Sequence, residues 1–173
     1  MPVELNGSEL NIHDVASVAR NRDNVSVSKD AWGRIEHCRT VIQSKIDNHE
    51  IMYGVTTGIG EFSEVVLTPE QVKEFQRYLI YSHAAGIGEP MAEEVVRGAM
   101  VSRINVHCHG NSGGRSEVTE QMLNMLNRGI TPIAAAKGSV GACGDLSPMS
   151  QIAMAMMGEG EVIYDEKRMP ADA

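Results

Sequence analysis

KGSVGACGDLSPMSQIAMAMMG, Lys137 to Gly158, sets two signals side by side. Ser147 and Pro148 make a helix start, and the segment after them is apolar on nearly every side until Gly158. A helix without a polar face is a buried helix, so this stretch predicts an interior built from helices. Composition agrees. The apolar share is 42% while aromatics are only 4%, so the core must come from Val, Ile, Leu, Ala and eleven methionines, a mixture that suits helices packed on helices. At 173 residues the chain is long enough for one ordinary domain that buries roughly 70% of its unfolded surface.

Outward from that stretch, helix signals recur. Asn11 predicts the cap of a short helix with Ile12, Val15, Ala16 and Ala19 on one side, and Ser28 the cap of a longer one carrying Trp32, Ile35, Ile42 and Ile46. Thr68-Pro69-Glu70-Gln71 joins an N-cap, a first-position proline and a capping-box glutamine, and that helix should reach about Ser82. Further helices are predicted from about Ala92 to His107 and from Ser116 to Arg128, where Gly129 and Pro132 supply the stop. Only EVIY at 161–164 reads as a strand. The fold class expected is mainly α, with no repeat, low-complexity tract or linker.

Charge and cysteines narrow the function. Net charge is −8, from 15 basic and 23 acidic residues, with no Lys/Arg cluster to track a phosphate backbone, which argues against nucleic acid as a partner. No run of eighteen apolar residues offers a membrane span, and MPVELNGSEL lacks the regions of a secretory signal, so a cytoplasmic protein is expected. Cys38, Cys108 and Cys143 are odd in number and read as reduced thiols.

The residues 142–144, Ala-Cys-Gly, carry their own chemistry. If the Gly144 amide nitrogen attacks the Ala142 carbonyl carbon, a five-membered ring closes. Glycine leaves that nitrogen unhindered and admits unusual dihedrals, and Ala142 adds little bulk at the carbonyl. Loss of water completes the ring, and loss of the group on Cβ of residue 143 leaves a methylidene, an electrophile that no ordinary side chain provides.

GSVGACGDLSP closely resembles the signature of the aromatic amino acid ammonia-lyases and 2,3-aminomutases, and Ser-His at 82–83 looks most like the histidine ammonia-lyases, although some tyrosine aminomutase-like members share it. The resemblance continues through YGVTTGIGEF, LIYSHAAGIGEP, SRINVHCHGNSG and NRGITP, in order, and so covers nearly the whole chain. It implies the helical fold of that family (a fumarase/aspartase-like bundle). It also implies a 4-methylidene-imidazole-5-one (MIO) group formed autocatalytically from Ala142, Cys143 and Gly144, and elimination of ammonia from an aromatic amino acid or its 2,3-migration. Family members have serine where this chain has Cys143, and a thiol, the better leaving group, would depart as hydrogen sulfide. By the same resemblance Tyr53 matches the catalytic tyrosine that removes the substrate β-proton, for which the site has to favour a phenolate. Gly60 matches a glycine beside the substrate in the same loop, His83 the position that meets the substrate ring, and Asp145 the acid that orients the strained turn.

Each of these residues has a plainer reading. Tyr53 before a glycine anchors loops, Gly60 makes turns, and His83 or Asp145 can answer a helix dipole. Arg103 and Asn105 lie in a stretch resembling the family's Arg-x-Asn, where Arg103 can equally support packing, and neither is assigned to catalysis. His107-Cys108-His109 tempts one towards a metal, but alternate residues on a helix point apart, and no metal is expected. Cys143 as the nucleophile of a hydrolase with His83 as base is a second enzymatic reading. The family's members are much longer, so the chain is expected to be the N-terminal portion, 1–173, of a longer, split or cleaved enzyme whose C-terminal helical part is absent. It would then work in a tetramer-like oligomer with a C-terminal chain, or stand as an inactive fragment or subunit without one.

Overall fold

A computed structural model describes residues 2–141 and 144–173. The chain opens with strand β1 (Val3–Leu5), helix α1 (Ile12–Ala16) and strand β2 (Val25–Val27), which pairs parallel with β1 in the register Val3 to Val25 and Leu5 to Val27. Asn11 caps α1 with a complete capping box through Asp14, yet only five residues are α-helical. The backbone then widens into a π-helical turn, Ser17–Asn21, which buries Val18 and Ala19 and leaves Ile12 84% exposed. The short one-sided helix expected from Asn11 is thus α-helical to Ala16 and π-helical where it carries Ala19. The turn is met from across the core: the buried guanidinium of Arg97 donates to the Val18 carbonyl from Nε (3.3 Å) and Nη2 (3.0 Å), and to the Leu126 carbonyl from Nη1 (3.3 Å).

Helix α2 (Lys29–Asp47) starts at the cap Ser28, and α3 (Pro69–His83) starts at Thr68 with its capping box to Gln71 formed. Helix α4 (Glu93–His107) is the most deeply buried, with Val96, Met100, Val101 and Ile104 at 2% exposure or less. Helix α5 (Ser116–Asn127) lies against it through Met122, Met125 and Leu126. At its end the Asn127 amide grips β2, accepting from the Val25 N–H at 2.8 Å and donating to the Val25 carbonyl at 2.9 Å.

Helix α6 (Leu146–Met156) departs from expectation twice. It starts before Ser147, with Asp145 at the cap position, so Pro148 falls in the first turn, where its missing N–H leaves no bond unmade. It is also only half-buried: Ser147, Ile152 and Ala155 are inside, while Leu146 is 43% exposed. The core centres on α4, and α6 keeps an apolar face uncovered.

More strands form than EVIY alone. Strand β3 (Ile87–Pro90) pairs antiparallel with β5 (Ala135–Lys137), and β4 (Thr131–Pro132), β6 (Glu161–Tyr164) and β7 (Lys167–Pro170) form an antiparallel sheet in the order β4-β6-β7. Strands this short carry too few residues for alternation to register, and their partners are brought by the helices. Asp165 and Glu166, with φ of 50° and 60°, make the tight turn between β6 and β7, with positive φ at both central residues.

Candidate active site

The loop before α3 is built by two buried threonines. The Thr56 hydroxyl accepts from the Met52 N–H and donates to the Glu50 carbonyl, both at 2.8 Å. That of Thr57 accepts from the Gly54 N–H (3.2 Å) and donates to the Gly58 carbonyl (2.9 Å). With the interior of the loop filled in this way, Tyr53 is turned outward, 68% exposed. Its phenolic oxygen accepts the backbone N–H of Gly60 at 3.1 Å, so two of the predicted site residues meet directly. Gly60 has a φ of +58°, which favours glycine at the start of the short 3-10 turn Gly60–Phe62. Gln76 of α3 holds the loop by donating to the Gly54 carbonyl (3.4 Å).

His83 is the last residue of α3. Its Nδ1 lies 2.8 Å from the Leu79 carbonyl and 3.0 Å from Ser82 Oγ, so this ring nitrogen is engaged within α3, whereas Nε2 makes no hydrogen bond among the described residues. Helix α3 has no fully buried residue. A polar network fixes it beside α6: Arg77 donates to the Tyr81 hydroxyl (2.6 Å) and to Glu159 (2.7 Å), and Tyr81 donates to Glu159 (2.6 Å). These bonds, Tyr81 first and then Arg77, hold the Glu159 carboxyl below the usual carboxylate range.

Of the residues expected to form the ring, Ala142 and Cys143 lie outside the described residues, and Gly144 is described. Both ends of the segment are closely held. At its start, a Cβ added to Gly138 would stand 2.8 Å from Gly86 Cα and 2.7 Å from Ser147 Oγ, so backbone lies on backbone there. At its end Gly144 and Asp145 have φ of 76° and 53°. The Asp145 carboxylate makes no cap bond to α6 and instead accepts a hydrogen bond from the Ser139 hydroxyl, which ties the two described ends together. Ser147 Oγ, buried at the head of α6, has no hydrogen-bond partner among the described residues. Arg103, which sequence reasoning left unassigned, has Nη2 3.8 Å from where a Gly144 Cβ would be.

The His107-Cys108-His109 run is dispersed. His107 Nδ1 sits 3.0 Å from Thr119 Oγ1, and burial, with Arg103 adding to it, lowers its proton affinity. Cys108 is fully inside the core, where burial pushes its thiol up to about 11. Among the described residues no three His, Cys, Asp or Glu side chains gather as a metal would require, and no helix is long and apolar enough to cross a membrane.

Two residues that organise this region escaped sequence reasoning. Gln151 bonds to both Ala135 and Gly86, and its signal was a lone amide in an otherwise small or apolar helix. Ser139 carried no signal of its own, because its partner depends on how the turn closes.

Residues 10–173 match the model of the family described as aromatic amino acid lyase. The histidine ammonia-lyase of Alkaliphilus metalliredigens is 41% identical over 167 residues, which are 96% of this chain and 33% of that protein. Ergothionase, an ergothioneine-degrading enzyme from Treponema denticola, superposes with a TM-score of 0.95 at 27% identity, over 99% of this chain and 34% of that one. Tyrosine aminomutase from Streptomyces globisporus does so with a TM-score of 0.93 at 32% identity, over 99% and 32%. The chain belongs to the aromatic amino acid lyase family and has the mainly α fold of its ammonia-lyases and aminomutases. It spans about a third of the length of the curated relatives it matches.

The described surroundings fit a ring made from residues 142–144. Positive φ at Gly144 suits a backbone that must fold its nitrogen back, the Gly138 cradle leaves no room for a side chain, and Ser147 offers a hydroxyl with no partner among the described residues.

Proposed function

We propose that the chain is the N-terminal portion of an enzyme that eliminates ammonia from an aromatic L-amino acid, histidine before tyrosine or phenylalanine, to give an α,β-unsaturated acid. One observation carries this reading. Gly144 and Asp145 are both held at positive φ beside the Ser139–Asp145 hydrogen bond, a conformation glycine takes without a Cβ penalty and one that suits closure onto the Ala142 carbonyl. Closure releases one water from that carbonyl and, with the Cα proton of Cys143, its sulfur as hydrogen sulfide. The resulting MIO group supplies an electrophilic carbon to which an amine adds.

The chain's own residues do the rest of the work assigned to this portion. Tyr53, held by the Gly60 N–H at its oxygen, takes the substrate β-proton. His83 presents Nε2 to the substrate side chain, since its Nδ1 is engaged with Leu79 and Ser82 of its own helix. Asp145 holds the turn through Ser139, and the N-terminus of α6 just beyond it lends partial positive charge where negative charge develops. No metal is assigned a part.

The partner in this reading is the C-terminal helical portion of the fold, in the same or another polypeptide, within a tetramer-like homo- or hetero-oligomer. Two features support it: α6 is apolar yet half-buried, and α3 has no fully buried residue. The setting proposed is the cytoplasm, where the Cys38 and Cys108 thiols stay reduced. An aromatic amino acid 2,3-aminomutase, which returns the amine to the β-carbon, is the second reading, favoured by the likeness to tyrosine aminomutase.

Intact-mass spectrometry of the natively isolated assembly tests the proposal. The chain should be lighter than its sequence by one water and one hydrogen sulfide, and incubation with histidine should yield the unsaturated acid. An active assembly containing a linear Ala-Cys-Gly of full mass would refute the mechanism.

A further inference from the structure

His83 and the ring-forming segment sit on different elements, and their separation must be set by something rigid. The structure holds a junction between them. Gly86 lies three positions after His83, and Gly138 four positions before Ala142. Their backbones touch, since a Cβ on Gly138 would stand 2.8 Å from Gly86 Cα. Into this junction α6 sends one amide. Gln151 Oε1 accepts the Ala135 N–H of β5 at 2.9 Å, and Nε2 donates to the Gly86 carbonyl at 3.3 Å. A Cβ on Gly86 would lie 2.5 Å from that Oε1, so glycine at 86 is what lets the amide reach its carbonyl.

We propose that Gln151 is a positioning residue that locks the loop after His83 to the helix and strand flanking residues 142–144, and thereby sets which substrate side chain the site accepts. This rests on the reading of His83 given above. The position needs one donor and one acceptor on a single rigid head. A carboxylate offers acceptors only and would face the Gly86 carbonyl with like partial charge, whereas its protonated form restores the donor. Leucine offers neither. A residue that merely filled space would tolerate all three.

Two variants, Gln151→Glu and Gln151→Leu, and a third, Gly86→Ala, which displaces the amide without removing it, are introduced at the chromosomal locus and the protein is isolated natively. Backbone amide exchange at Ala135 and residues 84–88 is read by mass spectrometry, corrected for intrinsic pH dependence. In Gln151→Leu and Gly86→Ala that segment should exchange about tenfold faster at every pH, the size expected for an orphaned part-buried group. In Gln151→Glu it should do so at pH 8 and return towards the parent rate at pH 4. The ratio of kcat/KM for histidine to that for tyrosine should shift by about fivefold or more in all three variants, whereas a general structural defect lowers both substrates alike. Unchanged exchange at 84–88, or a substrate ratio within twofold of the parent, overturns the proposal. Parent protein that turns over no aromatic amino acid sinks the reading of the site and the selectivity role with it. Exchange still decides the hook by itself, and protection lost as described upholds it.

Discussion

The most exacting test of the fold is Arg97→Met, because two large terms oppose each other there. Arg97 is 1% exposed and forms no ion pair among the described residues, so its hydrogen bonds go to the carbonyls of Val18 and Leu126. Burial lowers its proton affinity, as it must for a cation held away from water. Methionine keeps much of the stem and removes the donors. The Leu126 carbonyl loses little, since the Gly129 N–H also bonds to it at 3.1 Å. The Val18 carbonyl loses two charged donors, worth about 1.5–3 kcal/mol for a hydrogen bond to a charged group. Against that, the variant is relieved of desolvating a guanidinium. Because the carbonyl sits in a π-helical turn and both of its guanidinium bonds are buried, we expect the hydrogen-bond loss to win, with Arg97→Met destabilised by about 2 kcal/mol. Arg97→Ala adds a cavity and should lose about 4 kcal/mol. With an m-value of about 2 kcal/mol/M, urea midpoints should fall by roughly 1 and 2 M. A Met variant as stable as the parent would mean that desolvation dominates and that Arg97 does not hold the turn.

Other outcomes follow from the same geometry. Tyr53→Phe should lower turnover by the native assembly at least about a hundredfold, the scale of a lost general base, with little change in thermal midpoint because the ring is 68% exposed. The Cys108 thiol, pushed up to about 11 from 9.0, favours the folded state below pH 9, and that contribution should fade as pH rises from 9 to 11, read as a falling urea midpoint that a Cys108→Ala variant no longer shows. Iodoacetamide at neutral pH should therefore label Cys38 and spare Cys108 until the chain is unfolded. His107, held below its ordinary 6.5 by burial and then by Arg103, favours folding above that pH, so stability should drop as pH falls through 6.5 and below, and His107→Gln should flatten that limb of the profile.

Much of this molecule was legible from local chemistry. The caps Asn11, Ser28 and Thr68 set helix starts where they were expected, because a side chain that satisfies the first free N–H groups acts within three residues of itself. Tyr53, Gly60, His83 and Asp145 were singled out from sequence likeness alone, and the structure adds the Tyr53–Gly60 and Ser139–Asp145 hydrogen bonds that no spacing could have announced. The short strands, the π-helical turn and the Gln151 hook were illegible for one reason: each exists through a partner far along the chain. Strand β1 pairs with Val25, the turn meets Arg97, and Gln151 bonds to Gly86. The apolar run of α6 was read as a buried helix, and the structure covers only one side of it. Hydrophobicity thus determined by itself that α6 must be covered, since that follows from composition along one helix. Which side is covered within these residues, and which remains open, only the tertiary structure decided, because burial depends on the elements that reach a surface.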